Sequence, residues 1–235
     1  MVFRSLRRAA LGVGGPAVDT VLDDPETRPG ESLRGAVHLT GGERDVEIER
    51  IVLTVLTRDG SATRELGRHE LAGEFRLKAG EARAVPLQIA VPLGTPITHV
   101  FGERVPGLAV GVRTELEVAF AHDPGDLDFV AVHPLPAEAA ALEALRALGF
   151  RFKDAGLASA PVPSDWNSAD VSQVFDFWVA PQYQQIATEV AVGFTTGADF
   201  VELVLDGAVR SRHDRGEPVD WEAEVDRLMR QIGQI

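Results

Sequence analysis

The stretch Gly14-Gly-Pro-Ala-Val-Asp-Thr-Val-Leu-Asp-Asp-Pro-Glu-Thr-Arg-Pro-Gly-Glu-Ser-Leu-Arg-Gly-Ala-Val-His-Leu-Thr-Gly-Gly42 decides the fold class. It reads strand, turn, strand, turn. Ala17 to Leu22 is extended and rich in β-branched residues. Asp24-Pro25 and Pro29-Gly30-Glu31 break it. Leu33, Gly35, Val37 and Leu39 then share one face of a strand, because side chains alternate with period two. Gly41-Gly42 ends that strand.

The same grammar continues outward. Val46 to Arg58 is a long strand whose alternation slips between Ile48 and Ile51, which predicts a bulge near Glu49-Arg50. His69 to Leu77 alternates, Ala79-Gly80-Glu81 turns, and Val85, Leu87, Ile89 and Val91 face inward. Pro86 lacks a backbone donor, so it assigns that strand to a sheet edge or an irregular start. Pro92 to Pro106 reads as a long loop, Leu108 to Ala121 as a long strand, Asp123-Pro124-Gly125-Asp126 as a turn, and Phe129 to His133 as a closing strand. No exact internal repeat is visible.

Pro134 and Pro136 mark a boundary. Ala137 to Leu148 carries Leu142, Leu145 and Leu148 at spacing three and predicts a helix, with Gly149 at its end. Strands are expected at Phe150–Asp154, Val171–Val179, Gln185–Thr195 and Phe200–Val209. A last helix opens at Pro218, with Trp221, Val225, Leu228, Met229 and Ile232 along one stripe, to be buried on the chain's own second half or on a partner. Many short strands with Pro and Gly turns predict a mainly β protein of two sandwiches. Residues 1–133 form the first lobe and 134–235 the second, with a linker helix and a C-terminal helix.

These residues resemble the bacterial sporulation-control protein M family (sporulation stage zero, protein M), whose fold is similar to arrestins. The matching positions are Val18-Asp19-Thr20, Pro29-Gly30-Glu31, Gly35 with Val37, Gly41-Gly42, Ile51-Val-Leu with Thr57, Thr95-Pro96-Ile97-Thr98, Asp123-Pro124, His133-Pro134-Leu135 and Leu148-Gly-Phe-Arg-Phe152. Weaker matches are Phe175-Asp-Phe177 and the run at 209–212. The resemblance spans nearly the whole chain in order. It implies two arrestin-like sandwiches with added helices and a regulatory, non-enzymatic role. It carries over no catalytic residues.

Composition narrows the function classes. A net charge of −13 repels nucleic-acid backbones, so no nucleic-acid partner is expected. With no cysteine in the chain, disulfides, thiolate metal sites and a Cys nucleophile are excluded. No apolar run approaches the roughly 20 residues of a membrane span, and a cytoplasmic location is expected. Gly12-Val-Gly-Gly-Pro-Ala17 matches a dinucleotide fingerprint in letters only, since a strand follows it where a helix is needed. The histidines are scattered without zinc spacing. Asp123, Asp126 and Asp128 offer three oxygen donors, but Asp-Pro-Gly is also what a turn needs. The main expectation is therefore an adaptor without metal or cofactor, acting on protein partners or on a second copy of itself. The competing one is a metal-dependent hydrolase or ligand-binding sandwich using the Asp123–Asp128 loop.

Two basic stretches stand out against this acidity. Phe3, Arg4, Leu6, Arg7 and Arg8 lie in a run without one acidic residue before Asp19. Residues 2–10 fit a short amphipathic helix, and residues 2–11 fit a docking arm, either as a latch on the acidic body or on a partner. A strand-like arm packed on the first sandwich is the alternative. Three cations and a small apolar face give only weak peripheral membrane binding. Arg210, Arg212, His213 and Arg215 form the second basic island, which either takes an anionic partner or is a solvated strand end.

Overall fold

The computed structural model describes residues 9–10, 14–118, 126–158 and 172–234. The first strands are β1 (Ala9–Ala10), β2 (Ala17–Leu22), β3 (Glu26–Thr27), β4 (Ser32–Thr40), β5 (Val46–Asp59), β6 (Ala62–Ala72), β7 (Phe75–Leu77) and β8 (Ala82–Ala90). Next come β9 (His99–Val100), β10 (Glu103–Arg104), β11 (Leu108–Val118), β12 (Asp126–Val132) and helix α1 (Pro136–Ala147). The chain ends with β13 (Arg151–Leu157), β14 (Gln173–Trp178), a short 3-10 turn at Pro181–Tyr183, β15 (Glu189–Thr196), β16 (Phe200–Leu205), β17 (Val209–Asp214) and α2 (Trp221–Ile232). The protein is mainly β with two helices, as expected. It divides into two compact units, one of Met1–Pro92 with Ala109–Ala131 and one of Leu93–Leu108 with Val132–Ile235.

The first unit is a sandwich of two sheets. One has the order β1-β2-β4-β8, the other β3-β12-β11-β5-β6 with β7 also paired to β5. Val18, Leu33, Val37, Leu39, Leu87 and Ile89 from the smaller sheet are buried, as are Ile51, Leu53, Val110, Val112 and Leu116 from the larger. Thr20 and Thr114 join the two sheets through a buried hydroxyl–hydroxyl hydrogen bond of 2.6 Å. Pro86 lies in β8, which ends its sheet as the missing donor requires. The bulge expected near Glu49-Arg50 falls elsewhere. The β5–β6 register shifts between Ile51 and Val52 and again between Val55 and Leu56. Ile51–Thr57 is buried on both faces, so strict alternation is not required of it.

Two turns carry the chain from the larger sheet to the smaller by the same device. At Arg28-Pro29-Gly30-Glu31 the Glu31 N–H donates to the Arg28 carbonyl at 3.1 Å, and the Glu31 carboxylate accepts the Arg28 N–H at 3.0 Å. At Lys78-Ala79-Gly80-Glu81 the equivalent distances are 3.1 and 3.0 Å. Gly30 and Gly80 have φ of 84° and 66°, which the third position of such a turn demands and only glycine adopts at no steric cost.

The second unit is built on the antiparallel sheet β13-β14-β15-β16-β17. Phe175, Phe177, Val190, Val192, Leu203 and Leu205 of that sheet share one core with residues of both helices. From α1 come Ala141, Leu142 and Leu145, and from α2 Val225, Leu228 and Met229. The α2 stripe is therefore spent on its own unit. Asp220 caps α2 by accepting the Ala223 N–H, and Pro136 opens α1 at a position where its missing donor costs nothing.

The sequence reading runs the first lobe unbroken to His133 and leaves 92–106 as loop. In the structure, Leu93–Leu108 belongs to the second unit, because Ile97, Val100, Val105 and Leu108 are buried in its core. It also contains the β9–β10 hairpin. Ala9–Ala10, expected in a helix, pair as a strand with Val18 and Ala17.

Candidate functional site

The basic island falls on β17, which ends the five-stranded sheet. Asp206-Gly207 lie in the β16–β17 connection with φ of 50° and 68°, which brings β17 back along β16. Alternation then sorts the residues. Val209 and Ser211 are buried, whereas Arg210, Arg212 and Asp214 are exposed on the other face. Arg210 reaches Glu202 on β16 at 3.8 Å and stays 52% exposed. The Arg212 guanidinium stacks 3.5 Å from the centre of the Phe200 ring, a cation–π contact. Arg215 lies past the strand and donates to the carbonyls of Gly197 and Ala198 at 3.3 and 3.1 Å.

Beneath α2 the same strand carries a polar cluster that sequence reasoning missed. Ser211 Oγ is 2.7 Å from His213 Nε2 and donates to Glu224 Oε2 at 2.5 Å. Glu224 also accepts from Arg227 one turn on, at 2.7 Å. Those Arg227 hydrogen bonds are the main reason its carboxyl is held below the usual range, with Ser211 and His213 adding to them against a cost of burial. The His213 ring meets Trp221 edge-on at 5.2 Å. Because the serine proton goes to the carboxylate, the histidine is not placed to remove it as a base would. The arrangement clasps strand to helix. Its only sequence signals are the inward parity of Ser211 and His213 and the three-residue spacing of Glu224 and Arg227.

A second buried carboxylate anchors α1. Glu138 accepts from the Leu135 N–H at 2.8 Å and from Thr196 Oγ1 at 2.7 Å. Burial pushes its carboxyl above the usual range, partly offset by those two hydrogen bonds and by the charge of Arg215. Tyr183 is tied to α2 in a third contact, donating to Asp226 Oδ1 at 2.7 Å. Its phenol is pushed up to about 12, first by burial and then by that carboxylate.

Among the motif residues behind the family resemblance, Ile97, Thr98 and His133 serve the architecture of the second unit. The Gln173 amide bonds both the N–H and the carbonyl of Ile97 at 2.8 Å. Thr98 Oγ1 accepts the Val132 N–H at 2.8 Å, and the rings of His99 and His133 sit 5.3 Å apart. Phe3, Arg4, Leu6, Arg7 and Arg8 lie outside the described residues, as do Asp123 and the side chain of Asp126. Asp128 is buried within β12. Among the described residues, no three His, Asp or Glu side chains gather as a metal would need, and no helix is long and apolar enough to cross a membrane.

Comparison with known proteins agrees with this architecture. The sporulation-control protein spo0M of Bacillus subtilis (strain 168) is 29% identical over 225 residues, covering 92% of this chain and 84% of that protein. The crystal structure of Spo0M, sporulation control protein, from Bacillus subtilis has the same fold, with a TM-score of 0.81 at 24% identity over 94% of this chain and 100% of that one. The family model described as SpoOM protein matches residues 5–210, most of the sequence, and the chain belongs to the Spo0M family.

Proposed function

We propose that this chain is a regulatory adaptor of the sporulation-control type, working by contact with a protein partner rather than by catalysis, in the cytoplasm. The observation that carries the reading is β17. In a chain of net charge −13, this sheet-ending strand holds Arg210 and Arg212 outward on one face while Ser211 and His213 fasten the other face to α2. A strand fixed from behind and cationic in front suits an acidic partner segment, with the charges setting orientation and encounter rate.

The test is capture from the native host followed by binding with purified components, comparing the wild type with Arg210→Glu/Arg212→Glu. The reading expects one partner bound directly by the wild type, weakened by salt and lost in the double variant. Equal binding by both proteins, at all salt concentrations, would remove β17 from the mechanism.

A further inference from the structure

β17 ends the five-stranded sheet, and among the described residues no strand pairs with its other side. Just past its pairing with β16, the Arg215 N–H donates to the Asp199 carbonyl at 2.8 Å. Main-chain groups alternate in direction along an antiparallel strand. His213 and Ser211 therefore turn theirs to β16 as Arg215 does, whereas Arg210, Arg212 and Asp214 turn theirs away from the sheet. The same three residues carry their side chains on the exposed face. Nothing in β17 blunts this edge. It has no proline, whereas β8, which ends a sheet of the first unit, carries Pro86, and its pairing with β16 runs without a register shift. The strand is also held in place, with Arg212 stacked on Phe200 and Ser211 bonded to Glu224 of α2, so binding has little of it left to order.

We propose that β17 takes its partner as an added antiparallel strand, an extended acidic segment whose main chain pairs with Arg210, Arg212 and Asp214. This rests on the reading of β17 as the contact surface and adds the form and direction of what binds there. Residues directly opposite each other in such a pair exchange both N–H···O bonds, and their side chains lie side by side. Counted from the N-terminus of the added strand, the residue against Asp214 comes first. The one against Arg212 follows two later, and the one against Arg210 two later again. The matching pattern is Lys-x-Glu-x-Glu, with the basic residue first and the acids two apart. The two arginines also disfavour a basic strand, so the charges select as well as attract.

The test uses the full-length wild-type protein and three peptides of equal charge. One is Thr-Lys-Thr-Glu-Val-Glu-Thr; the second is N-methylated at both glutamates; the third is N-methylated at the valine and at the threonine after the lysine. NMR shifts and amide exchange along β17 are read at about 1 mM peptide. The first and third should bind and slow exchange at the Arg210, Arg212 and Asp214 N–H groups. The second should bind about tenfold more weakly, because it lacks the two donors that meet the Arg212 and Arg210 carbonyls. Binding that the glutamate methyls leave unchanged, but that Arg210→Glu/Arg212→Glu abolishes, overturns strand addition and leaves the charged surface standing. No change at β17 with any peptide overturns strand addition as well, and the surface itself then stands or falls by partner capture with the same double variant. Protection of these amides in the protein alone, rising with its concentration, overturns the proposal by making a second copy the occupant.

Discussion

The two units fill their interiors with different side chains. Among the described residues, the buried apolar residues of the first are Val, Leu and Ile, whereas the buried rings, Phe150, Phe175, Phe177, Tyr183, Phe200 and Trp221, are in the second. Two pleated faces about 10 Å apart leave an even slot that branched aliphatic chains fill. A sheet under helices leaves deeper and less regular spaces, and Phe101, Phe152 and Phe177 meet edge-on there at 5.6–6.4 Å. The polar locks differ too. The first unit joins its layers with the neutral Thr20–Thr114 pair, while the second seats carboxylates against its helices at Glu138, Glu224 and Asp226. Protonation thus reaches the helix contacts of the second unit, whereas in the first it touches the turn carboxylates of Glu31 and Glu81 and not the hydroxyl pair between the layers.

The largest effect is expected where the second unit's helix meets its sheet. Leu145 is fully buried, and Leu145→Asp places a charge where nothing can pair with it, at a cost of more than about 4 kcal/mol. Loss of the cooperative thermal transition, or a melting temperature far below wild type, checks this. In the first unit the sharpest lesion is Gly41→Ala. The added Cβ would overlap the Lys78 carbonyl, a backbone atom fixed in the turn by the Glu81 N–H. About 1–3 kcal/mol is expected, read as increased hydrogen exchange along β4 and β8.

The pH predictions sharpen the contrast. Folding raises the Glu138 carboxyl above its unfolded value, so the folded state takes up a proton there. That contribution is complete at low pH and is lost as pH rises through the raised value. Glu138→Gln keeps an acceptor for Leu135 and should flatten this decline while raising stability at neutral pH. Glu224 and Asp226 have the opposite sign. Arg227 lowers the first and Tyr183 the second, so their contribution is present at neutral pH and lost as pH falls below the ordinary carboxylate range. Glu224→Gln and Asp226→Asn should flatten the acid limb alone. Denaturation midpoints from pH 3 to pH 8, read by tryptophan fluorescence, whose three sources Trp166, Trp178 and Trp221 all belong to the second unit, check both signs.

Much of this was legible and some was not, for identifiable reasons. The inward set Leu87 and Ile89, the edge position of Pro86, and the α1 face of Leu142 and Leu145 all follow from period and turn chemistry. Ala9–Ala10 fall in the stretch read as an amphipathic helix from the three-residue spacing of Phe3 and Leu6 among Arg4, Arg7 and Arg8, yet they pair with β2 as a strand. The β9–β10 hairpin was hidden because Phe101 occupies a turn position with φ of 54°, where Asn or Gly is expected. Its ring packs on Phe152 and Phe177, which offsets that strain. The repeated Pro-Gly-Glu turn was masked by Ala79 standing for Pro29, since the carboxylate that returns to the backbone is a three-dimensional feature. The Glu224 clasp joins residues of two elements, and no local pattern announces such a meeting.

The smallest effect tests the first unit's surface. On its larger sheet Arg68 approaches Glu115 at 3.8 Å and Glu117 at 3.5 Å, while Arg50 bonds Glu117 at 2.6 Å. Arg68 is 49% exposed, so water screens the attraction, and ordering a long side chain offsets much of what remains. Arg68→Ala should therefore change stability by about 0–1 kcal/mol, and less as salt is added. Glu117 keeps Arg50 as its partner, so no buried charge is orphaned. If the first unit owes its stability to shape, this variant and wild type should keep the same small difference from pH 5 to pH 8, whereas Glu138→Gln departs from wild type as pH rises above the ordinary carboxylate range. A loss of several degrees in melting temperature, removed by high salt, would show that the first unit also depends on its charges.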